Sequence, residues 1–393
     1  MPRPTNTNKR VFYATQAVAI GDQGATGVVD SWQPSDGANN FSGDGKVIIA
    51  HGVQSIGVTT NFNLEQIFEL GQLSLYENYE EVPEIEVTFE KLLDGYSLLY
   101  HLGTVDATAP TLPGRATARA DVRMAVGLET NEYMATGVNS GVAELYCSGM
   151  YISSFSYTLG TDGSFTESTT FVGNDKQWLT NSENGLLTNT NGVLANAFSS
   201  SVFGSDAPVG VDNSVLRRQN LVIGSGGQTY GGTAFTTQVP SVVGDGTSGD
   251  LTNTIYISEN GGPYIQSVSI SCDLGRENIQ QLGKKAPYYR YVNFPVDVTC
   301  DVEITAVNGD NVDAAEEEKN LLDHSIQFVL DDSTVFQLGN KNKLTTVSYG
   351  GGDAGGGNAT ITYSFTNSND FVVLHSGDPM ALEASNYFKN WFA

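Results

Sequence analysis

The chain contains itself twice. The run Val53-Gln54-Ser55-Ile56-Gly57-Val58 reappears as Ile265-Gln266-Ser267-Val268-Ser269-Ile270. The same spacing carries Asn61 onto Asp273, Glu65 onto Glu277, Ile67 onto Ile279, Leu70-Gly71 onto Leu282-Gly283, Tyr76 onto Tyr288 and Pro83 onto Pro295. After that proline the register slips by one residue, and Ile85-Glu86-Val87-Thr88 matches Val296-Asp297-Val298-Thr299. One spacing that keeps apolar character over so many positions marks a duplicated supersecondary unit, and predicts two similar domains. In an assembly protein, duplication also changes the symmetry. A ring of identical subunits can be rebuilt from half as many double-length chains.

Residues 1–45 read as an extended arm and loop, punctuated by Pro2, Pro4, Gly21, Gly24, Gly27, Pro34 and Gly37. The first copy spans 46–180. Residues 47–60 predict a strand. Asn63 with Gln66 three residues on resembles a capping box, and Leu64, Ile67, Phe68 and Gly71 predict a short helix. Residues 84–90 alternate as a half-buried strand with charges on the outer face. Residues 113–127 carry a weaker helical pattern. Glu144–Leu159 and Ser164–Val172 close the copy as strands joined at Asp162-Gly163, a hairpin signal. Residues 181–262 are rich in Gly, Ser, Asn and Thr and predict an insertion with small strands. The second copy spans 263–376, with a helix expected over Asp313–Asp323 and closing strands at Lys343–Tyr349 and Ala359–Phe365 around the glycine run 350–357. The tail, 377–393, places Tyr387, Phe388, Trp391 and Phe392 at helical spacing, and so aromatic an end is expected to dock.

Composition narrows the function. The 393 residues carry 19 basic and 44 acidic side chains, a net charge of −25. Such a chain repels phosphate rather than binding it, because nucleic-acid affinity needs Lys and Arg. Cys147, Cys272 and Cys300 form no CxxC and do not repeat between the copies, so buried free thiols are expected. The polar N-terminus lacks the apolar core of a signal peptide, and no apolar run approaches the roughly 20 residues of a membrane span. The reading is a soluble protein made in a reducing cytoplasm, with no membrane partner.

No catalytic, metal or cofactor site emerges. His51, His101, His324 and His375 are scattered without HExxH spacing. The glycine runs at 224–227 and 350–357 lack a following Gly-Lys-Ser/Thr, and the serines have no nucleophile-elbow motif. In so acidic a chain no single carboxylate pair stands out. Asp245 and Asp250 offer oxygens for Ca²⁺, but a solvated loop is the simpler reading. An enzyme is not expected.

Tyr151-Ile152-Ser153-Ser154-Phe155-Ser156-Tyr157-Thr158, followed by Asp162-Gly163-Ser164-Phe165-Thr166-Glu167-Ser168 and Gly173-Asn174-Asp175-Lys176, resembles the closing hairpin of bacteriophage tail tube proteins. Residues 53–71, and again 265–283, are similar to the opening of the same unit. The second copy departs from the pattern: its turn is the glycine run, and it lacks the Gly-Asn-Asp-Lys ending. The resemblance implies a mainly β fold of two tandem β-sandwich or partial-barrel tube domains, each with a flanking short helix. It implies rings whose inner strands join into one barrel, stacked into a DNA-conducting tube in a virion tail. Single-copy members form hexameric rings, so two copies imply trimeric rings with pseudo-sixfold symmetry. The implied partners are the chain itself, initiator, terminator and sheath proteins, and DNA as non-specific cargo; assembly in the host bacterial cytoplasm follows. A closed barrel protects strand edges, and an acidic lumen lets DNA slide.

The loop after the first predicted helix is acidic (Glu77, Glu80, Glu81, Glu84), whereas its counterpart is basic (Lys284, Lys285, Arg290). Two unrelated solvated loops would look the same. The sharper expectation is that copy 1 of one chain meets copy 2 of a neighbour, where opposite charges fix register. The tail aromatics Tyr387, Phe388, Trp391 and Phe392 are further candidates for contacts between subunits. Two alternatives stay open: another virion protein (capsid, baseplate or decoration) and a carbohydrate-binding or adhesive β-sandwich.

Overall fold

The computed structural model describes residues 16–24, 28–29, 47–126, 143–180, 215–223, 228–230, 233–244, 254–256, 263–284, 287, 289–307, 309–310, 312, 323–352, 357–375 and 378. The chain is mainly β. Its first half runs β1 (Gln16–Asp22), β2 (Val28–Val29), β3 (Val47–Ile49), β4 (Val53–Asn61), β5 (Leu64–Phe68), β6 (Leu75–Glu80), β7 (Glu84–Leu92), α1 (Leu99–Leu102), α2 (Leu112–Arg115), β8 (Ala120–Val126), β9 (Ala143–Gly160), β10 (Thr166–Gly173) and β11 (Asp175–Thr180). Short strands follow: β12 (Gln228–Tyr230), β13 (Thr233–Phe235), β14 (Gln238–Pro240) and β15 (Thr254–Tyr256). The second half runs β16 (Ile265–Asp273), β17 (Arg276–Ile279), β18 (Tyr289–Val292), β19 (Asp297–Thr305), β20 (Gln327–Val329), β21 (Val335–Gln337), β22 (Lys343–Gly350), β23 (Thr360–Ser368) and β24 (Val372–Leu374).

The central feature is an antiparallel array in the order β4-β7-β10-β9-β16-β19-β23-β22. It consists of two four-stranded halves with the same internal order. β4, β7, β10 and β9 of the first correspond to β16, β19, β23 and β22 of the second. The irregularities correspond too. The β4·β7 ladder shifts between Val53 and Ser55, and the β16·β19 ladder between Ile265 and Ser267. The β10·β9 ladder shifts at Thr170/Phe171, and β22·β23 at Leu344/Thr346, where Phe365 and Ser364 hold the places of Phe171 and Thr170. Such bulges are designed features that persist within related units. The repeated Gln-Ser pair makes the same bonds: Gln54 Nε2 donates to Gly52 O and Gln266 Nε2 to Tyr264 O, each at 3.2 Å, while Ser55 and Ser267 donate to Glu90 and Glu303.

These ladders correct the register inferred after the proline. Glu90 corresponds to Glu303 and Ile85 to Val298, not Val296. The extra residue lies in the linker, where Glu81-Val82-Pro83 is matched by the longer Asn293-Phe294-Pro295-Val296.

Two further expectations are corrected. The predicted helix after Asn63 is the β5–β6 hairpin, and its counterpart is β17–β18. A helix this short with no face buried is a poor nucleus. Ile, Phe and Tyr suit cross-strand pairing instead, and Gly71 (φ +94°) and Gly283 (φ +85°) supply turns that L side chains rarely adopt. The helical pattern over 113–127 yields only the single turn α2, then the buried strand β8. The expected helix over Asp313–Asp323 falls almost entirely outside the described residues, as do the tail aromatics. Within the segment read as an arm, β1 is a core strand paired to β3 and β8, with Ala19 and Ile20 fully buried.

β9 links two sheets. Its first part pairs with β8 and β11, and its second with β10 and β16. The change of direction falls at Gly149 (φ +64°), whose N–H donates to Asp121. One face of the central array packs on a second layer built from β1, β3, β8 and α1 on one side and β20, β21 and β24 on the other, in one continuous core. Rings tie the halves together: Tyr157 contacts Phe336 at 4.7 Å and Phe155 stacks on Phe371 at 4.9 Å.

Candidate assembly surface

Among the described residues, the other face of the central array carries no second layer. Strand alternation sends Ile85, Val87 and Phe89 into the core and Glu86, Thr88 and Glu90 outward. It sends Val298, Cys300 and Val302 inward and Asp297, Thr299, Asp301 and Glu303 outward. The neighbouring strands add Ser168, Ser154, Ser156, Thr158, Ser269, Ser271, Asp273, Thr362, Ser364 and Thr366. The result is a wall of hydroxyls and carboxylates. Among its described strand residues the one cation is Lys343, which sits at the end of β22, 2.5 Å from Asp323. The carboxylates of this face repel phosphate, and its described strand residues are mainly hydroxyls and carboxylates.

The two halves join edge to edge. β9, the last strand of the first half, pairs with β16, the first strand of the second. Leu159 faces Val268, Tyr157 faces Ile270, Ser156 faces Ser271 and Phe155 faces Cys272. This leaves β4 and β22 as the array's outer edges. β4 is the equivalent of β16, and β22 the equivalent of β9. Each edge is therefore of the kind that is already paired at the internal junction.

The β17–β18 hairpin leans across that junction. Arg290, 4% exposed, bonds Glu84 at 2.7 Å and donates to Asn174 Oδ1 at 3.1 and 3.3 Å. Arg276 donates to the carbonyls of Ile152 and Ala116 and lies 4.7 Å over the Tyr151 ring, with burial drawing its pKa down to about 10. Arg119 lies over both Tyr151 and Tyr289. A cleft of ≈ 320 Å³ separates the hairpin from the first half, lined by Glu81, Glu84, Asn174, Lys284 and Arg290 among others.

The acidic and basic segments singled out in the sequence thus meet within one chain. Glu84 and Arg290 are paired, Glu81 and Lys284 line the same cleft, and Glu77 and Glu80 lie exposed on β6. Lys285 lies outside the described residues. The strand edges and the exposed apolar residues of the first hairpin were not singled out. The repeat itself carried that signal, because two equivalent units joined once must leave two unjoined edges.

Buried polar groups elsewhere hold the fold. Glu167 accepts from the Leu99 and Tyr100 amides at 2.7 and 2.9 Å and from the Tyr157 hydroxyl at 3.0 Å, which fastens α1 to β10. Lys91 donates to Asp94 and to His51 O, each at 2.6 Å. Arg115 bonds Asp378 at 2.6 Å, beside His101, whose pKa burial lowers to about 3. The three cysteines are buried and free, and burial pushes the Cys147 and Cys272 thiols up to about 12, far from reactive thiolate. Among the described residues no group of three His, Cys, Asp or Glu is placed to hold a metal. No described helix is long and apolar enough to cross a membrane.

No protein-family model and no curated protein matches this sequence. Solved structures similar to parts of the chain include a chain of the anti-feeding prophage baseplate (12% identity, 44% of this chain, 98% of that chain) and one of the anti-feeding prophage tube-terminating cap (9%, 45% and 96%). A third belongs to the sheath–tube complex of an extracellular contractile injection system in its extended state (8%, 44% and 94%). The TM-score is 0.29 in each case, too loose a likeness to carry an argument about fold or function.

Proposed function

We propose that the protein is a non-enzymatic structural subunit of a phage-tail-like particle, and that it polymerises as rings stacked into a DNA-conducting tube. The observation that carries this reading is the internal β9·β16 junction, which joins two equivalent units and leaves a matching pair of edges, β22 and β4, at the ends of the same array. Repeating that junction between chains closes a ring without exposed strand edges. Three chains then supply six units, a trimeric ring with pseudo-sixfold symmetry. The second layer covers one face of the array, so the hydroxyl and carboxylate face is the one that lines the lumen, where it repels DNA phosphates. Exposed Glu77, Glu80 and Lys284, together with Lys285 and the tail aromatics, are the proposed sites of contact between subunits and with other tail proteins.

The internal junction also sets the register between chains. Ser156 facing Ser271 translates to Ser348 facing Thr59 of the next chain, and Tyr157 facing Ile270 to Tyr349 facing Val58. A Thr59→Cys/Ser348→Cys variant is expected to form covalent dimers and trimers on mild oxidation of the assembled protein. The native thiols are buried and contribute little background. Absence of cross-links in assembled particles would refute this register.

A further inference from the structure

The two hairpins are equivalent in ladder but opposite in chemistry. Leu64 corresponds to Arg276 and Asn78 to Arg290, because Leu64 pairs with Glu80 and Gln66 with Asn78, as Arg276 pairs with Val292 and Asn278 with Arg290. In the second hairpin these positions form the face turned toward the first half. Arg290 is buried, Arg276 reaches Ile152 O and Ala116 O, and Val292 packs against the core. In the first hairpin the same face is Leu64 and Phe68 with Gln66, Asn78 and Glu80. Leu64 is 57% and Phe68 62% exposed.

The surfaces these faces meet differ in the same sense. The wall opposite Arg290 carries the acceptors Glu81, Glu84 and Asn174 beside Val82 and Tyr79. In the second half the corresponding linker carries Phe294, 37% exposed, and Pro295, also exposed. A cationic hairpin therefore faces an anionic wall inside the chain, and an apolar hairpin is available for an apolar wall on another copy. The crossed pairing would press Arg276 and Arg290 against Phe294 and Pro295, with Asp297, the counterpart of Glu84, in place of the Glu81, Glu84 and Asn174 acceptors of the first half.

We infer that the Leu64–Phe68 face of the β5–β6 hairpin seats on the Phe294–Pro295 linker of a second copy, and that this apolar seat, distinct from the arginine seat inside each chain, makes the units alternate around the ring. The inference rests on the ring reading above and specifies which surface closes it. A Leu64→Ser/Phe68→Ser variant should remain a folded chain, since both side chains are exposed, yet associate roughly a hundredfold more weakly. Phe294→Ser should weaken association in the same direction. Glu65→Ser, on the opposite face of the same hairpin, should assemble as the wild type does. Native mass spectrometry across a concentration series reads all four proteins, with circular dichroism melts as the control for folding. Wild-type rings with undiminished rings from the Leu64/Phe68 and Phe294 variants would overturn the apolar seat while leaving the ring intact. Equal losses in all three variants would overturn the assignment of this face. A wild type that forms no ring at any concentration would overturn the ring reading and the seat with it.

Discussion

Glu144 lies in β9 with neither carboxylate oxygen hydrogen-bonded, and burial raises its pKa to about 8 while Arg123 pulls it down. An unfolded Glu loses its proton near 4.5, whereas the folded one keeps it until about 8. Across that window the folded state binds more protons, so stability falls as pH rises. His101 acts in the opposite direction: unfolded it protonates below about 6.5, folded only near 3, so stability falls as pH drops. Glu144→Gln removes the first effect and leaves the second. Its melting temperature relative to the wild type should rise between pH 5 and pH 8, equivalent to roughly 2–4 kcal/mol. An equal difference at both pH values would contradict the buried-acid account. At this scale the sequence was only half legible. The alternation over 84–90 placed Ile85, Val87 and Phe89 inside, and the scattered cysteines were rightly expected to be buried thiols. Lys91, Glu144 and Glu167 were not foreseen inside, because the partners of Lys91 and Glu167, a loop carbonyl and two amides at the start of α1, come from distant parts of the chain.

Among the elements, the strands that pair within each half were legible and the hairpins were not. Asn63, Gln66 and Gly71 satisfy helix-end rules locally, and Leu64, Ile67 and Phe68 share a helical face as readily as they fit a hairpin. Cross-strand pairing to Leu75–Glu80 decides the matter, and pairing is non-local. Because the hairpins are equivalent yet differently seated, they respond differently to truncation in the isolated chain. Arg276→Ala removes two bonds to buried carbonyls and the stack on Tyr151, and should cost about 2 kcal/mol. Leu64→Ala at the equivalent position should leave chain stability within about 0.5 kcal/mol. Denaturant titration below the assembly concentration measures both. Equal losses would mean that the first hairpin is seated within its own chain.

Across the molecule, the repeat was the most informative feature of the sequence, and the array shows why. Strand order, bulge positions and the Gln-Ser bonds recur in both halves although few side chains are shared. What the repeat did not reveal was the direction of the register slip, because Pro83 and Pro295 align by type while the ladders set them one position apart. Nor did it reveal which face is bare, since strand phase fixes alternation but not orientation; the second layer supplies that. The proposed ring closure through β22 and β4 rests on that face, the two edges and the β9·β16 junction. The most direct test is end-on electron microscopy of the purified protein at high concentration, with the ring mass measured by native mass spectrometry. The account predicts hollow rings with six lobes and the mass of three chains. Six-lobed rings built from six chains, or single chains at every concentration, would contradict it.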